Sequence, residues 1–362
     1  MGFGLQRLVR ILLAIPAVFL VALGSAYADP VEDIFERDRK YGWTEAMGII
    51  ARARAGDAEA QYALGRGLLE GYWDVRDAKV GLEWLKKAAD TDQRYAPFIL
   101  GRLYEKGEHG VSIDVDKARY WYERSFDGGG AYAARALARL DEAKSPPDVE
   151  RALSWYRRGA EAGDFECQKV LGEYYGAGFR MPLDYSQSLH WLLKAMEPRR
   201  TPHAARDVEG PQARLGFYYE NGLGTAKNID EALRWYREAA GNGNADAAYA
   251  LGRLYEGSEN LPANPREAMK FYEAAAERDH PSAQYRLGRG FANGEGLPID
   301  RVQAIKWLTR ASRWCCDVTQ KEAEAELNRI KGLSTPLEVE AGEALAEAFA
   351  PIPPPSLIPQ IR

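Results

Sequence analysis

Four histidines (His109, His190, His203 and His280) and three cysteines (Cys167, Cys315 and Cys316) are the side chains of this 362-residue chain best suited to metal ligation or nucleophilic catalysis. Their spacing supports neither. No histidine stands at metal-ligand spacing from another histidine, cysteine or acid. No Gly-x-Ser-x-Gly elbow or phosphate-cradling glycine loop occurs, and the triple glycine at 128–130 reads as a turn between repeated segments. The expectation is therefore no enzyme, no metal and no cofactor. Cys167 reads as a small buried apolar residue, and three cysteines do not make a disulfide framework.

Arginine and tyrosine are the polar residues that recur in register. Arg66, Arg102, Arg139, Arg253 and Arg289 each follow a leucine by two positions, with Glu173 and Phe217 interrupting the series in the middle. Tyr62, Tyr249 and Tyr285 precede three of these arginines by four residues, a helical spacing that sets ring beside guanidinium. A planar guanidinium fork matches carboxylates. The pattern therefore predicts a binding face for an acidic partner, either a protein segment or an anionic polysaccharide. The competing outcome is that the arginines pair with glutamates of the same or the next repeat, as surface charges commonly do.

The elements that position these side chains are repeated. Leu-Gly pairs occur at 64–65, 100–101, 171–172, 215–216, 251–252 and 287–288, with Leu137-Ala138 in the remaining slot. An aromatic follows each: Trp84, Trp121, Trp155, Trp191, Trp235, Phe271 and Trp307, spaced by 37, 34, 36, 44, 36 and 36 residues. The long interval marks an insertion around Pro198 to Pro211. Each unit shows apolar residues at helical spacing twice, as in Ala248, Leu251, Leu254 and Tyr255 and in Ala232, Trp235, Tyr236 and Ala239, separated by glycine-rich turns. Seven residues before each aromatic stands Asp77, Asp114, Asp148, Asp184, Asn228, Asn264 or Asp300, types preferred as helix N-caps. Gln187, Glu231, Glu267 and Gln303, three residues on, come close to capping boxes. The acids of this series are structural. The small residue after the leucine lets paired helices approach, and the aromatic is expected to fill the space toward the next unit. One pair cannot bury both faces, so the units must stack.

The pattern AxAQYxLGxxYxxGxG…D…KAxxWYxxAAxxG resembles the Sel1-like repeat family, a relative of the tetratricopeptide repeats. The segments "PSAQYRLGRGFANGEGLPIDRVQAIKWLTRAS" and "ADAAYALGRLYEGSENLPANPREAMKFYEAAAE" carry it most clearly, and it covers about residues 45 to 316. It departs at "AKSPPD" in the third unit and at the insertion "EPRRTPHAARDVEG". The resemblance implies an all-α, right-handed solenoid of about seven helix-turn-helix repeats, with the first helices on the concave face. It also implies a non-enzymatic protein-protein interaction scaffold; exported relatives serve in exopolysaccharide assembly and export, in periplasmic signalling and in host contact. The first of these is the leading expectation. A periplasmic regulator binding a sensor domain, or a cell-wall-acting enzyme, are the alternatives.

Arg7 and Arg10, the apolar run Ile11 to Leu23 and Ala26-Tyr27-Ala28 compose a cleavable signal peptide over 1–28, and no cysteine at the junction points to a lipid anchor. The mature chain is expected to be periplasmic or secreted and not membrane-spanning. Its formal charge moves from −5 to −7 on loss of the two arginines, which argues against a nucleic-acid partner. The expected layout is an N-terminal capping region at 29–57, the repeat array at 58–317, C-terminal capping helices at 318–350, and an extended proline-rich tail at 351–362.

Overall fold

The computed structural model describes residues 43–91, 94–197, 208–258, 261–313 and 317–350. The leader at 1–28, most of the insertion, Cys315, Cys316 and the tail at 351–362 lie outside the described residues.

The described residues form seventeen α-helices and two short 3-10 turns. Helix α1 (Trp43–Arg54) is followed by seven pairs in chain order: α2 (Ala58–Glu70) and α3 (Ala78–Asp90), α4 (Ala96–Lys106) and α5 (Val115–Asp127), α6 (Ala133–Glu142) and α7 (Val149–Glu161), α8 (Phe165–Ala177) and α9 (Tyr185–Ala195). The last three pairs are α10 (Glu209–Asn221) and α11 (Ile229–Gly241), α12 (Ala245–Tyr255) and α13 (Pro265–Ala276), α14 (Pro281–Asn293) and α15 (Arg301–Arg313). Helices α16 (Asp317–Leu333) and α17 (Pro336–Glu347) close the series. Packing divides the described residues into two compact units, one up to Trp155 and one from Tyr156, with the division inside α7.

The seven predicted caps all form. Each Asp or Asn side chain accepts the backbone N–H three residues on, at 2.9–3.2 Å. The reciprocal half of the capping box is absent where it was expected at Glu231 and Glu267. Those carboxylates turn to Arg234 and Lys270 instead, because a cation three residues on offers a charged partner. A complete box forms at Thr335 and Glu338. First helices have caps of their own at Asp57, Asp164, Asn244 and His280.

The glycine of the Leu-Gly pair is a point of close approach. A methyl group at Gly65 would run into Leu85 and the Gly81 carbonyl, and one at Gly252 into the Tyr272 ring. The aromatic, however, packs backward rather than toward the next unit. Trp84 shares a buried cluster with Ala46, Ile50 and Ala53 of α1. Trp235 shares one with Leu189 and Leu192 of α9, and the Trp155 ring meets Phe126 of α5 edge-on at 5.7 Å. At these three positions the side chain leans toward the helix that precedes its own pair and closes its repeat on the one before.

A buried glutamine adds a second tie in the same direction. Gln61, Gln168 and Gln284 donate from Nε2 to the carbonyls of Ala53, Ala160 and Ala276, at 3.1, 3.0 and 3.3 Å. Those carbonyls lie in the last turn of the preceding helix and also accept the backbone N–H of Gly56, Gly163 and Asp279, so the glutamine supplies a second donor at the helix end. At the far end Phe349, after α17, meets the Trp307 ring at 5.2 Å and covers the last aromatic. Cys167 is fully buried.

Candidate functional site

The arginine series rides on the first helices. In the N-terminal unit, Arg66 of α2 stacks over Tyr62 at 5.8 Å and donates to Glu70, whose other oxygen takes the Tyr72 hydroxyl. Arg102 of α4 faces Glu108 at 3.5 Å. Arg139 of α6 is exposed and makes no ion pair with a described residue. In the C-terminal unit, Arg289 of α14 stacks over Tyr285 at 5.8 Å and lies 3.6 Å from Glu295. Arg253 of α12 departs from the expected stacking. It reaches Glu220 on α10, the preceding first helix, while Tyr249 stacks on His280 at 4.5 Å. The tyrosine-on-arginine pairing thus forms at two of its three positions.

The guanidiniums remain partly open to solvent, from 35% exposed at Arg289 to 49% at Arg253. Where Glu173 interrupts the series, burial pushes its carboxyl above the ordinary value against the pull of Lys169 and Arg214. The middle of the series therefore favours no anion.

The glutamates beneath these arginines escaped the sequence analysis. Tyr122 donates to Glu105, and Tyr236 donates to Glu220 at 2.8 Å. Burial, with the acceptor carboxylate beside it, pushes each hydroxyl far above the ordinary phenol value, so both are fixed as donors. Glu220 thus bridges Tyr236 within its repeat to Arg253 in the next. A sequence signal was present. Wherever tyrosine follows the repeat aromatic (Tyr122, Tyr156, Tyr236, Tyr272), glutamate stands four residues after the Leu-Gly slot (Glu105, Glu142, Glu220, Glu256). Where leucine follows it (Leu85, Leu192, Leu308), that position is Leu69, Gly176 or Ala292.

No group of three His, Cys, Asp or Glu side chains lies close enough to hold a metal among the described residues, and no described helix is long and apolar enough to cross a membrane.

Helix pairs with a small residue on one helix, an aromatic on the other and a capped second helix, repeated seven times, define a helical repeat protein. The Sel1 repeat profile matches residues 58–90, 95–130, 131–164, 166–197, 212–244, 245–280 and 281–313, and the chain belongs to that family. A Sel1 repeat protein from Oxalobacter formigenes superposes with a TM-score of 0.58 at 24% identity, covering 93% of this chain and 95% of that one, a likeness of fold. Among curated relatives, the chain is 29% identical over 178 residues to a chitin synthase regulator of Saccharomyces cerevisiae, covering 47% of this chain and 24% of that protein. It is 27% identical over 163 residues to a Sel1-repeat-containing protein of Escherichia coli, covering 45% of this chain and 66% of the other. The match thus spans less than two thirds of either relative.

Proposed function

We propose that the chain is a non-enzymatic interaction scaffold of the bacterial cell envelope, exported by its leader, and that its first-helix arginines hold an acidic partner during exopolysaccharide assembly. The observation that carries the reading is the recurrence of partly exposed arginines at one register. Arg253 commits Nη2 to Glu220, and the remaining donors of its fork make no hydrogen bond with a described residue. The residues that recur most strictly, by contrast, are spent on caps, close approaches and buried clusters. The relationship to a regulator of chitin synthesis supports a link to polysaccharide synthesis. An acidic protein segment is the preferred partner, since helical repeats present extended binding surfaces.

The test replaces Arg66 and Arg289, whose ion pairs with Glu70 and Glu295 are at the surface, together by glutamine and measures retention on immobilised polyglutamate and on a polyuronate. Capture should be lost from one or both supports while the thermal midpoint stays nearly unchanged, because exposed ion pairs contribute about 0–1 kcal/mol. Binding that persists, or a loss that tracks unfolding, overturns the assignment. Export is tested separately by intact mass of the envelope form, expected to begin at Asp29. A mature chain retaining Arg7 overturns it.

A further inference from the structure

The turns between first and second helices differ in one residue that decides how closely they pack. In the fifth and seventh repeats the tip of the turn is a glycine with positive φ, Gly224 (71°) and Gly296 (73°). A methyl group on Gly224 would collide with the backbone of Tyr185 and Ser186, and one on Gly296 with Pro265 and Arg266. These are the first two residues of the preceding second helix, so the tip rests directly on that helix. In the second repeat the equivalent residue is His109, held at a φ of 56° where a side chain is strained. Its Cβ forbids the same approach to Ala78 and Lys79, the first two residues of α3. The turn stands off, and a cavity of about 550 Å³ remains.

Lys79 and Leu82 of α3, Tyr104, His109, Ile113 and Lys117 line this space. Arg76 Nη2 lies 2.7 Å from His109 Nδ1. A guanidinium only donates, so Nδ1 accepts and the ring proton sits on Nε2. Lys117 is matched by Asp114 at 2.7 Å. Lys79 is exposed and makes no ion pair or hydrogen bond with a described residue. One uncommitted ammonium, beside an acid already paired, favours a single negative charge and disfavours a dianion. Leu82, Val111 and Ile113 supply an aliphatic wall, and the volume falls in the range of small-molecule sites.

From these features we infer that the cavity binds a carboxylate carried on a short aliphatic body, with Lys79 meeting the charge and Leu82 and Ile113 the chain. The site shares no residue with the arginine series, so its failure and the failure of that reading are told apart. Either a free aliphatic acid or the aliphatic C-terminus of a peptide offers this chemistry.

The test uses the full mature chain with methyl-labelled isoleucine, titrated with hexanoate, N-acetyl-leucine and the uncharged N-acetyl-leucinamide. Both acids should shift the Ile113 methyl resonance and the amide should not. Tighter binding of hexanoate identifies a free acid as the source, and tighter binding of N-acetyl-leucine a peptide end. Lys79→Gln should weaken the acids about tenfold, the scale of one charge-assisted contact, whereas Lys86→Gln on the same helix should not. His109→Gly should let the turn close, removing binding without lowering the thermal midpoint. Equal binding of acid and amide, an unmoved Ile113 methyl, or undiminished affinity in Lys79→Gln or His109→Gly overturns the proposal.

Discussion

In the first repeat Gly65 lies against Leu85, and the buried Leu69 packs beside Gly81 on the facing helix. In the fifth, Gly216 lies against the ring of Tyr236, and Glu220, at the position equivalent to Leu69, takes the tyrosine hydroxyl. Both slots accept a side chain laid flat on a glycine. The second has added a polar tip, and a buried hydroxyl without an acceptor costs about 1–3 kcal/mol. The glutamate supplies that acceptor and, being charged, then needs Arg253 from the following repeat. One tyrosine thus recruits an acid, and the acid recruits an arginine of the candidate binding face. Arg253 therefore leaves Tyr249 for Glu220, whereas Glu256 of the sixth repeat is met by Arg286 at 3.2 Å, so Arg289 keeps Tyr285, and Arg66 follows no such acid.

The largest expected effects fall on what the two repeats share. Trp84→Ala and Trp235→Ala should each cost about 3–5 kcal/mol, as large-to-small changes in packed cores do. Both rings are buried in clusters that include the preceding helix. Denaturant midpoints would show it, and a cost under about 1 kcal/mol, the surface scale, would mean the ring closes no repeat junction.

The third repeat breaks the comparison, since proline replaces the glycine-rich turn there. Asp141 of α6, fully buried, gathers Arg119 at 2.7 Å, Lys144 at 2.8 Å and Arg151 at 3.6 Å. Burial pushes its carboxyl up, but hydrogen bonds from Lys144 and Arg119 outweigh that and hold it below the ordinary value. Asp141→Ala should therefore cost about 3 kcal/mol, chiefly by leaving the half-buried Arg119 guanidinium without its carboxylate. A carboxyl lowered on folding stabilises above its unfolded value, so the contribution should disappear as pH falls below about 4. Equal stability of variant and parent at pH 7 would show that the cluster contributes nothing net.

Such clusters mark the limit of what the sequence makes legible. The caps at Asp77 through Asp300 could be read because donor and acceptor lie three residues apart and the pattern recurs. The Leu-Gly and aromatic series could be read for the same reason, although not the direction in which the aromatic leans, since both neighbouring repeats offer similar surfaces. Asp141 and Arg119 are 22 residues apart on different helices and occur as a pair once, so no periodicity announces them. The cavity beside Lys79 depends on a turn standing away from a helix. Only the substitution of histidine for glycine at 109 is visible in the chain.

A smaller effect tests the coupling between tyrosine and acid. Glu220→Leu should cost about 1–3 kcal/mol by leaving the Tyr236 hydroxyl without its acceptor. Adding Tyr236→Leu rebuilds the arrangement of the first repeat and should recover most of the loss. A double variant no better than the single would mean that the acid serves Arg253 rather than the tyrosine.

The smallest effect concerns a cap of unusual chemistry. Asn244 caps α12 by accepting the Ala247 N–H at 2.7 Å. At the corresponding start of α14, His280 Nδ1 accepts the Ala283 N–H at 3.2 Å. Only an unprotonated Nδ1 accepts, so protonation removes this cap. Burial lowers the His280 value below its ordinary 6.5, against the pull of Asp246, whose carboxylate lies 3.4 Å from Nε2. A histidine lowered on folding is held neutral in the native state, so the unfolded chain binds more protons once pH falls below 6.5. Stability should therefore decline with acidification and level off below the folded value, by about 1 kcal/mol, the usual worth of an N-cap. His280→Asn keeps an acceptor at the cap while removing the titration, although it gives up the stack on Tyr249. Urea midpoints at pH 8 and pH 5 should differ less in the variant than in the parent, with the difference between the two slopes isolating His280 from the other histidines. Identical slopes would mean that the imidazole does not hold the helix start as a neutral acceptor.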